Sequence, residues 1–529
     1  MDSYTLFNLR QTPQLLPASP KQVRNAAGGY TFRVDDAARL RRFLTLGSEG
    51  GTYYTRDVEL TRDNAAVLFR LAETDHRTLV DQIVEVSEGG LAPRQNPAIF
   101  ALAVAAAHGD ADARAYALSV LPRVCRTGTH LFLFARYIEQ FRGWGRGLRR
   151  AVAAWYTERD AAALAYQAAK YRQREGWSHR DLLRLSHPQA VSPATRAVFD
   201  WICHETVGAD TPALIGAFVR TQEPGADVPA LVGESGLSWE MLPDSALADP
   251  AVWEALLDRG MPQTALLRQL PRLTRLGLLP ALGGRTAEVA ARLADSDRLR
   301  SARVHPVNVL IAQRTYASGA SLRGESTWRP TRQIVDALDA AFYAAFGAVE
   351  PAGKRTMLAL DVSGSMTQQV SGLPLSCREA SAALALVQVA TEPQCDVVGF
   401  TAQGSFRESG LQRLTISPRQ RLADAVRAVS DLPFGATDCA LPVQEALASR
   451  TPVDTFVVYT DNETWAGRTH PHQALREYRE KMGIDARMIV VGMTATQCSI
   501  ADPDDPGMLD VAGFDAGVPS LISSFSRGL

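Results

Sequence analysis

The sequence predicts two unlike halves: an array of short amphipathic helices over residues 1 to 354, then an α/β domain on a doubly wound parallel sheet over 355 to 529. Three observations carry this. Apolar residues recur at helical spacing in successive segments of 10 to 15 residues from 35 to about 300, with few strand patterns between them. From 355 the pattern changes to continuous Val/Ile/Leu-rich runs alternating with helical stretches, as expected of strands covered on both faces. At 529 residues the chain also exceeds what one core holds, so more than one domain or a repeat array is required.

In the first half, helices are expected at 35–47, 61–75, 96–109, 131–141, 147–156, 158–171, 192–206 and 212–221. No pair of such short helices buries its apolar face alone, so neighbouring pairs must stack as a solenoid; the alternative is an irregular all-helical domain. In the second half the strands are expected at 355–363, 395–402, 454–462 and 486–495, with helices at 376–391, 418–430, 440–449 and 471–482 between them. Ligands of such sheets bind at the carboxyl ends of the strands, where Asp361 and Asp461 fall.

Hydrophobic content of 46% with 21% charged residues is that of a soluble globular protein. The opening MDSYTLFNLR has no apolar signal core and no stretch approaches a membrane span, so a cytoplasmic protein is expected. The six scattered cysteines form no CxxC pair, which argues against a zinc site or a disulfide framework. The formal charge of −1 hides a split: residues 351 to 529 carry 15 basic and 20 acidic side chains, whereas 123 to 184 carry 13 basic and 5 acidic, a local net of +8. A second basic stretch, 265 to 303, has 8 arginines against 3 acids. Clustered positive charge of this kind suits a polyanion.

In Asp361-Val-Ser363-Gly-Ser365 the odd-numbered side chains can face one point from a loop leaving a strand. Phe434-Gly-Ala-Thr437-Asp438 adds a hydroxyl before a helix, and Asp461 a second strand-end carboxylate. Neutral hydroxyls and carboxylates suit a hard divalent cation, Mg2+ first. No positioned base or nucleophile accompanies the set, since His470 and His472 read as solvated loop residues, so phosphohydrolase chemistry here is disfavoured. The constellation and its strand order resemble the metal-ion-dependent adhesion site of von Willebrand factor A domains. That resemblance implies that Ser363, Ser365 and Thr437 touch the metal while Asp361 and Asp461 act largely through water, leaving one position for a partner's carboxylate.

Two stretches of the helical half resemble the TROVE module of the Ro autoantigen family. One is Asn25-Ala-Ala-Gly-Gly-Tyr30-Thr-Phe with Leu40-Arg-Arg-Phe-Leu-Thr-Leu-Gly47 and Gly50-Gly-Thr-Tyr-Tyr54; the other is Lys170-Tyr-Arg-Gln-Arg-Glu-Gly-Trp-Ser-His179 continuing to His187. Residues 303 to 317, RVHPVNVLIAQRTYA, resemble the family's join to its A domain. The resemblance implies an α-helical, HEAT-like repeat ring followed by the A domain. It also implies Y RNA on the outer face, single-stranded 3′ ends of misfolded RNA in the central hole, and action with exoribonucleases in RNA degradation and stress survival by a monomer that is not an enzyme. Carried over by position, Lys170, Arg174 and His187 match RNA-contacting residues, and Arg172, Arg180, Arg126 and His130 extend the set. Arg and Lys neutralise phosphates, and Arg, His and aromatic groups stack on unpaired bases, so the residue types agree. Trp177 reads as a core anchor, Arg184 as an RNA contact or an ion-pair partner, and His179 as a helix-end histidine or a ligand. The competing reading is a protein scaffold that captures an acidic partner through Mg2+.

Overall fold

In the computed structural model, the described residues are 11–46, 57–321, 325–347, 349–369, 375–404, 409–418, 420–433, 435–494 and 496–529. The Gly50 to Tyr54 motif, Gly47 and Phe434 lie outside them. Helices run almost without interruption from Asp36–Leu46 to Arg332–Ala344. The alanine-rich helix Asn96–Ala107 shows why they stack: eight of its residues are buried, and it packs against His76–Gly89, Ala111–Ser119 and Gly128–Glu139. An apolar helix with no polar face has to be enclosed by its neighbours.

The strands, in chain order, are β1 (Gln22–Arg24), β2 (Tyr30–Arg33), β3 (Gln173–Arg174), β4 (Trp177–Ser178), β5 (Thr356–Asp361), β6 (Cys395–Phe400), β7 (Leu411–Leu414), β8 (Thr455–Thr460), β9 (Arg487–Gly492), β10 (Cys498–Ser499) and β11 (Met508–Ala512). The six-stranded sheet has the order β11-β9-β8-β5-β6-β7 and is parallel except for edge strand β7. Strands β5 and β8 are buried at every position, the condition that writes a continuous apolar run. Alternate residues serve two cores: Leu358, Leu360, Val457 and Tyr459 join the apolar cluster continuous with the helical half. Met357, Ala359, Phe456 and Val458 pack on the opposite face with Ala474, Leu475 and Tyr478 of helix Pro471–Met482.

The helical array closes on itself. Arg303 Nε donates to Glu88 O at 2.6 Å and Asn308 Nδ2 to Pro93 O at 3.1 Å, joining residues more than 200 positions apart. Gly90 sits in this seam at φ +64°, where an added Cβ would lie 2.8 Å from Arg303 Cβ, so both conformation and space require glycine. The sheet domain is seated at the same seam, since Ala516 N donates to Leu91 O at 3.0 Å. At the other end of the chain order, β1 and β2 form a three-stranded sheet with β10, so residues 11 to 33 lie across the sheet domain as a strap before the first ring helix begins.

His305 is the joint of these three parts. Its Nε2 lies 2.8 Å from Phe514 O and 3.1 Å from Leu91 O, while its Nδ1 accepts from Val307 N at 3.1 Å and caps helix Pro306–Ser318. These partners demand the neutral ring protonated at Nε2, and burial pushes its pKa down to about 4. The unfolded chain, with an ordinary value near 6.5, therefore binds the extra proton first. The joint's stability is fully present above pH 6.5 and is lost as the pH falls towards 4, by up to about 3 kcal/mol. In scanning calorimetry, His305→Gln should show a smaller fall in unfolding midpoint than the unmodified protein between pH 7 and pH 4. Parallel pH profiles would refute this role.

Candidate functional site

Strand β5 delivers Asp361 to the carboxyl edge of the sheet, and β8 ends beside it at Asp461; both are fully buried. Asp361 has both oxygens engaged: Oδ1 accepts from Ser363 N at 2.9 Å and Oδ2 from Thr460 Oγ1 at 2.7 Å. Ser363 Oγ and Ser365 Oγ lie 3.1 Å apart, the latter in the turn Gly364–Thr367. Asp461 Oδ1 accepts from Glu463 N at 3.0 Å, but among the described residues its Oδ2 has no hydrogen-bond partner, and neither has Thr437 Oγ1. Thr437 is 1% exposed, so these are orphaned polar atoms inside the protein.

Burial raises the pKa of both carboxyls, and for Asp461 the Asp361 and Glu463 charges raise it further. An uncompensated buried carboxylate oxygen is costly, and a cation relieves it. The donors are oxygens of two carboxylates and three hydroxyls, with no thiolate or imidazole, and they fit a hard divalent ion. Among the described residues no group of three or more His, Cys, Asp or Glu side chains forms a competing metal cluster.

His470 and His472 are not solvated, contrary to the expectation from their sequence context. They are 0% and 2% exposed: His470 Nδ1 lies 3.1 Å from Gln22 Nε2 and its Nε2 2.8 Å from Leu16 O, while His472 meets Phe32 edge-on at 5.1 Å. The strap covers them, which a linear sequence pattern does not show.

The predicted polyanion-binding residues separate into three groups. Arg172 and Arg180 line one cleft of about 720 Å3 with Gln173, Trp201, His204 and Glu205. Arg172 reaches Glu205 at 2.8 Å and lies 5.6 Å from the Trp201 ring centroid. Arg174 is exposed on the β3–β4 hairpin and, like Arg180, has no ion pair among the described residues. His187 is exposed at the far end of helix His179–Ser186, where it takes the left-handed cap conformation at φ 47°. Seven residues of helical rise place it about 10 Å along the axis from Arg180.

Lys170 differs: its side chain is only 10% exposed, 3.4 Å from Glu240, donating to the Tyr166 hydroxyl at 3.2 Å and near the Tyr166 and Tyr171 rings. Arg126 is half-buried and bound to Ser87 Oγ at 2.7 Å and Ser87 O at 3.0 Å. His130 is part-covered; burial pushes its pKa down to about 4, and its Nδ1 has no partner among the described residues. His179 is core, packed against Phe132 and held by Tyr156 Oη at 2.9 Å. Trp177 packs on Trp144 at 5.5 Å, and Arg184 is exposed beside Arg136, Glu175 and Trp177.

The TROVE domain family model matches residues 23–211 and 233–318, and the Ro60 vWA domain model matches 355–526. The chain belongs to the Ro60 family. It is 42% identical to the RNA-binding protein RO60 of Deinococcus radiodurans, over 99% of this chain and 98% of that one. It is 35% identical to the RNA-binding protein RO60 of Caenorhabditis elegans, over 98% and 92% of the two chains. The crystal structure of the Deinococcus radiodurans RO (RSR) protein superposes with a TM-score of 0.69 at 39% identity, covering 93% of this chain and all of that one.

Within this Ro60-family chain, several site residues carry no signal in the sequence. Trp201 and Glu205 complete the cleft from the neighbouring helix Pro193–His204 and its cap, and Glu240 reaches Lys170 from a turn 70 residues on. Nothing in their local sequence marks them, because each gains its role only when helices stack.

Proposed function

We propose that the protein binds RNA through the surface that carries Arg174 and Arg180 and is not itself an enzyme. The observation that carries this reading is that Arg174 and Arg180 are exposed and have no ion pair among the described residues, beside a cleft in the most basic segment of the chain. Four cations of that segment are already ion-paired: Arg123 with Glu88, Arg136 with Glu175, Lys170 with Glu240 and Arg172 with Glu205. Phosphates satisfy the unpaired ones. The names of the two relatives, both RNA-binding proteins, support it.

On this reading the ligands are small noncoding RNAs, Y RNAs among them, held on the outer basic face, with single-stranded 3′ ends of misfolded RNA entering the ring. The protein acts in the cytoplasm as a monomer, in RNA quality control with an exoribonuclease and in stress survival. A divalent cation, Mg2+ first, sits on Ser363, Ser365 and Thr437 with Asp361 and Asp461. Its chemistry there is to offer a Lewis-acid position to a partner's carboxylate.

A gel shift with a structured RNA carrying a single-stranded 3′ tail tests the reading. Binding should tighten steeply as salt is lowered, and a blunt-ended version of the same RNA should compete less well. Salt-independent or absent binding would overturn it.

A further inference from the structure

The cation site is assembled from loops that are far apart in the chain: 361–365, the segment around Thr437, and the loop after β8 that carries Asp461. What holds the last two in register is the strap. Gln14 is completely buried, and its amide joins both loops. Its Nε2 donates to Asp438 Oδ1 at 2.8 Å and Thr469 O at 2.9 Å, while its Oε1 accepts from Thr464 Oγ1 at 2.5 Å and Gly467 N at 3.2 Å. Its backbone is held too: Gln14 N donates to Gly467 O at 3.0 Å, and its carbonyl accepts from Tyr30 N at 2.8 Å. Every donor and acceptor of this residue is used, and the partners fix which amide atom is nitrogen.

The approach is possible only because of two glycines. A Cβ on Gly467 would lie 2.2 Å from Gln14 Nε2 and 2.3 Å from Asp438 Oδ1, and one on Gly29 would lie 2.0 Å from Thr464 O. The strap adds two further ties beside Asp461: Asn25 Nδ2 donates to Thr464 O at 2.8 Å, and Glu463 accepts from Ala27 N at 2.8 Å. Across the same junction Thr437 O accepts from Trp465 N at 3.1 Å and Ala466 N at 3.0 Å.

We infer that Gln14 is a positioning residue of the cation site: it clamps the Thr437–Asp438 segment to the 464–469 loop, so the chain's N-terminal strap sets the placement of Thr437 and Asp461. This rests on the reading that a divalent cation binds there. Outer groups that orient metal ligands act on affinity without touching the ion. The strap runs directly through β2 into the first ring helix, so the ring and the cation site share one mechanical element.

The test is calorimetric titration of the full chain with Mn2+ and with Mg2+, alongside metal-free unfolding midpoints. Gln14→Ala should weaken Mn2+ binding about tenfold. Gln22→Ala, which removes strap bonds to Ala18 N and His470 Nδ1 but touches neither ligand loop, should leave it unchanged while lowering the metal-free midpoint comparably. Gly467→Ala, which displaces the Gln14 amide from the opposite side, should reproduce the Gln14→Ala loss. Unchanged affinity in Gln14→Ala, or an equal loss in Gln22→Ala, would overturn the inference with the cation reading intact. If the unmodified protein takes up no more Mn2+ than Ser363→Ala, the cation reading itself falls.

Discussion

Reversing Arg174 and Arg180 together to glutamate is expected to weaken RNA binding about a hundredfold near 0.1 M salt and to flatten its salt dependence, removing about 0.7 to 0.9 from the slope for each phosphate that is no longer neutralised. Both side chains are exposed, and neither has an ion pair among the described residues, so the change costs the fold little. The decisive control is Arg123→Ala. Arg123 belongs to the same basic segment, but its Nε and Nη2 donate to the two oxygens of Glu88 at 2.7 Å, and its charge is neutralised within the protein. A filter-binding series should leave Arg123→Ala close to the unmodified protein at every salt concentration. Equal losses in the two variants would mean that net charge, rather than this surface, governs binding.

That contrast shows where counting charge along the chain stops being informative. The local excess of basic residues over 123 to 184 is real, yet only the fold reveals which are spent. Arg123, Arg136 and Arg172 meet Glu88, Glu175 and Glu205 from other helices or turns, 30 or more residues away. Lys170 and Arg126 answer to the same logic: motif position singled them out, and packing placed one against Glu240 and two tyrosines and the other against Ser87. Arg174, Arg180 and His187 remain on the surface, at a hairpin tip, in a cleft and at a helix cap.

The sheet domain was more legible because its signals are local. A strand buried on both faces writes a continuous apolar run, so β5, β6, β8 and β9 and the intervening helices fall within a few residues of their expected places. Strand β7, half exposed at the sheet edge, and β10, two residues long, write no such run. The strap was invisible for a related reason. Gln22 to Arg33 is too short and polar to announce a hairpin, and its partner β10 is more than 460 residues away. Of the cation site, the hydroxyls and carboxylates could be read from their order, whereas Gln14 carries no local mark.

Arg42→Ala is expected to be the most destabilising of these single changes, by about 3 to 5 kcal/mol. The residue lies in the Leu40-Arg-Arg-Phe stretch that resembles the helical module, but its side chain is 1% exposed and points into the sheet domain. There its Nη2 meets both oxygens of Asp510, at 2.7 and 2.8 Å, and its Nη1 donates to Cys498 O at 2.9 Å. Asp510 is pushed up in pKa by burial, with Arg42 and Ser499 opposing the rise. Truncating the arginine therefore leaves a largely covered carboxylate with only the Ser499 hydroxyl beside it and the Cys498 carbonyl without this donor. Removing Asp510 as well should recover part of the loss, so Arg42→Ala with Asp510→Ala should unfold in urea at a higher concentration than the sum of the single changes predicts. Strict additivity would mean that the pair does not couple the first ring helix to β11. Because that helix is also the continuation of the strap, the same variants should lower the domain's hold on the ring before either part loses its own core, giving two unfolding transitions where one is expected of the unmodified protein.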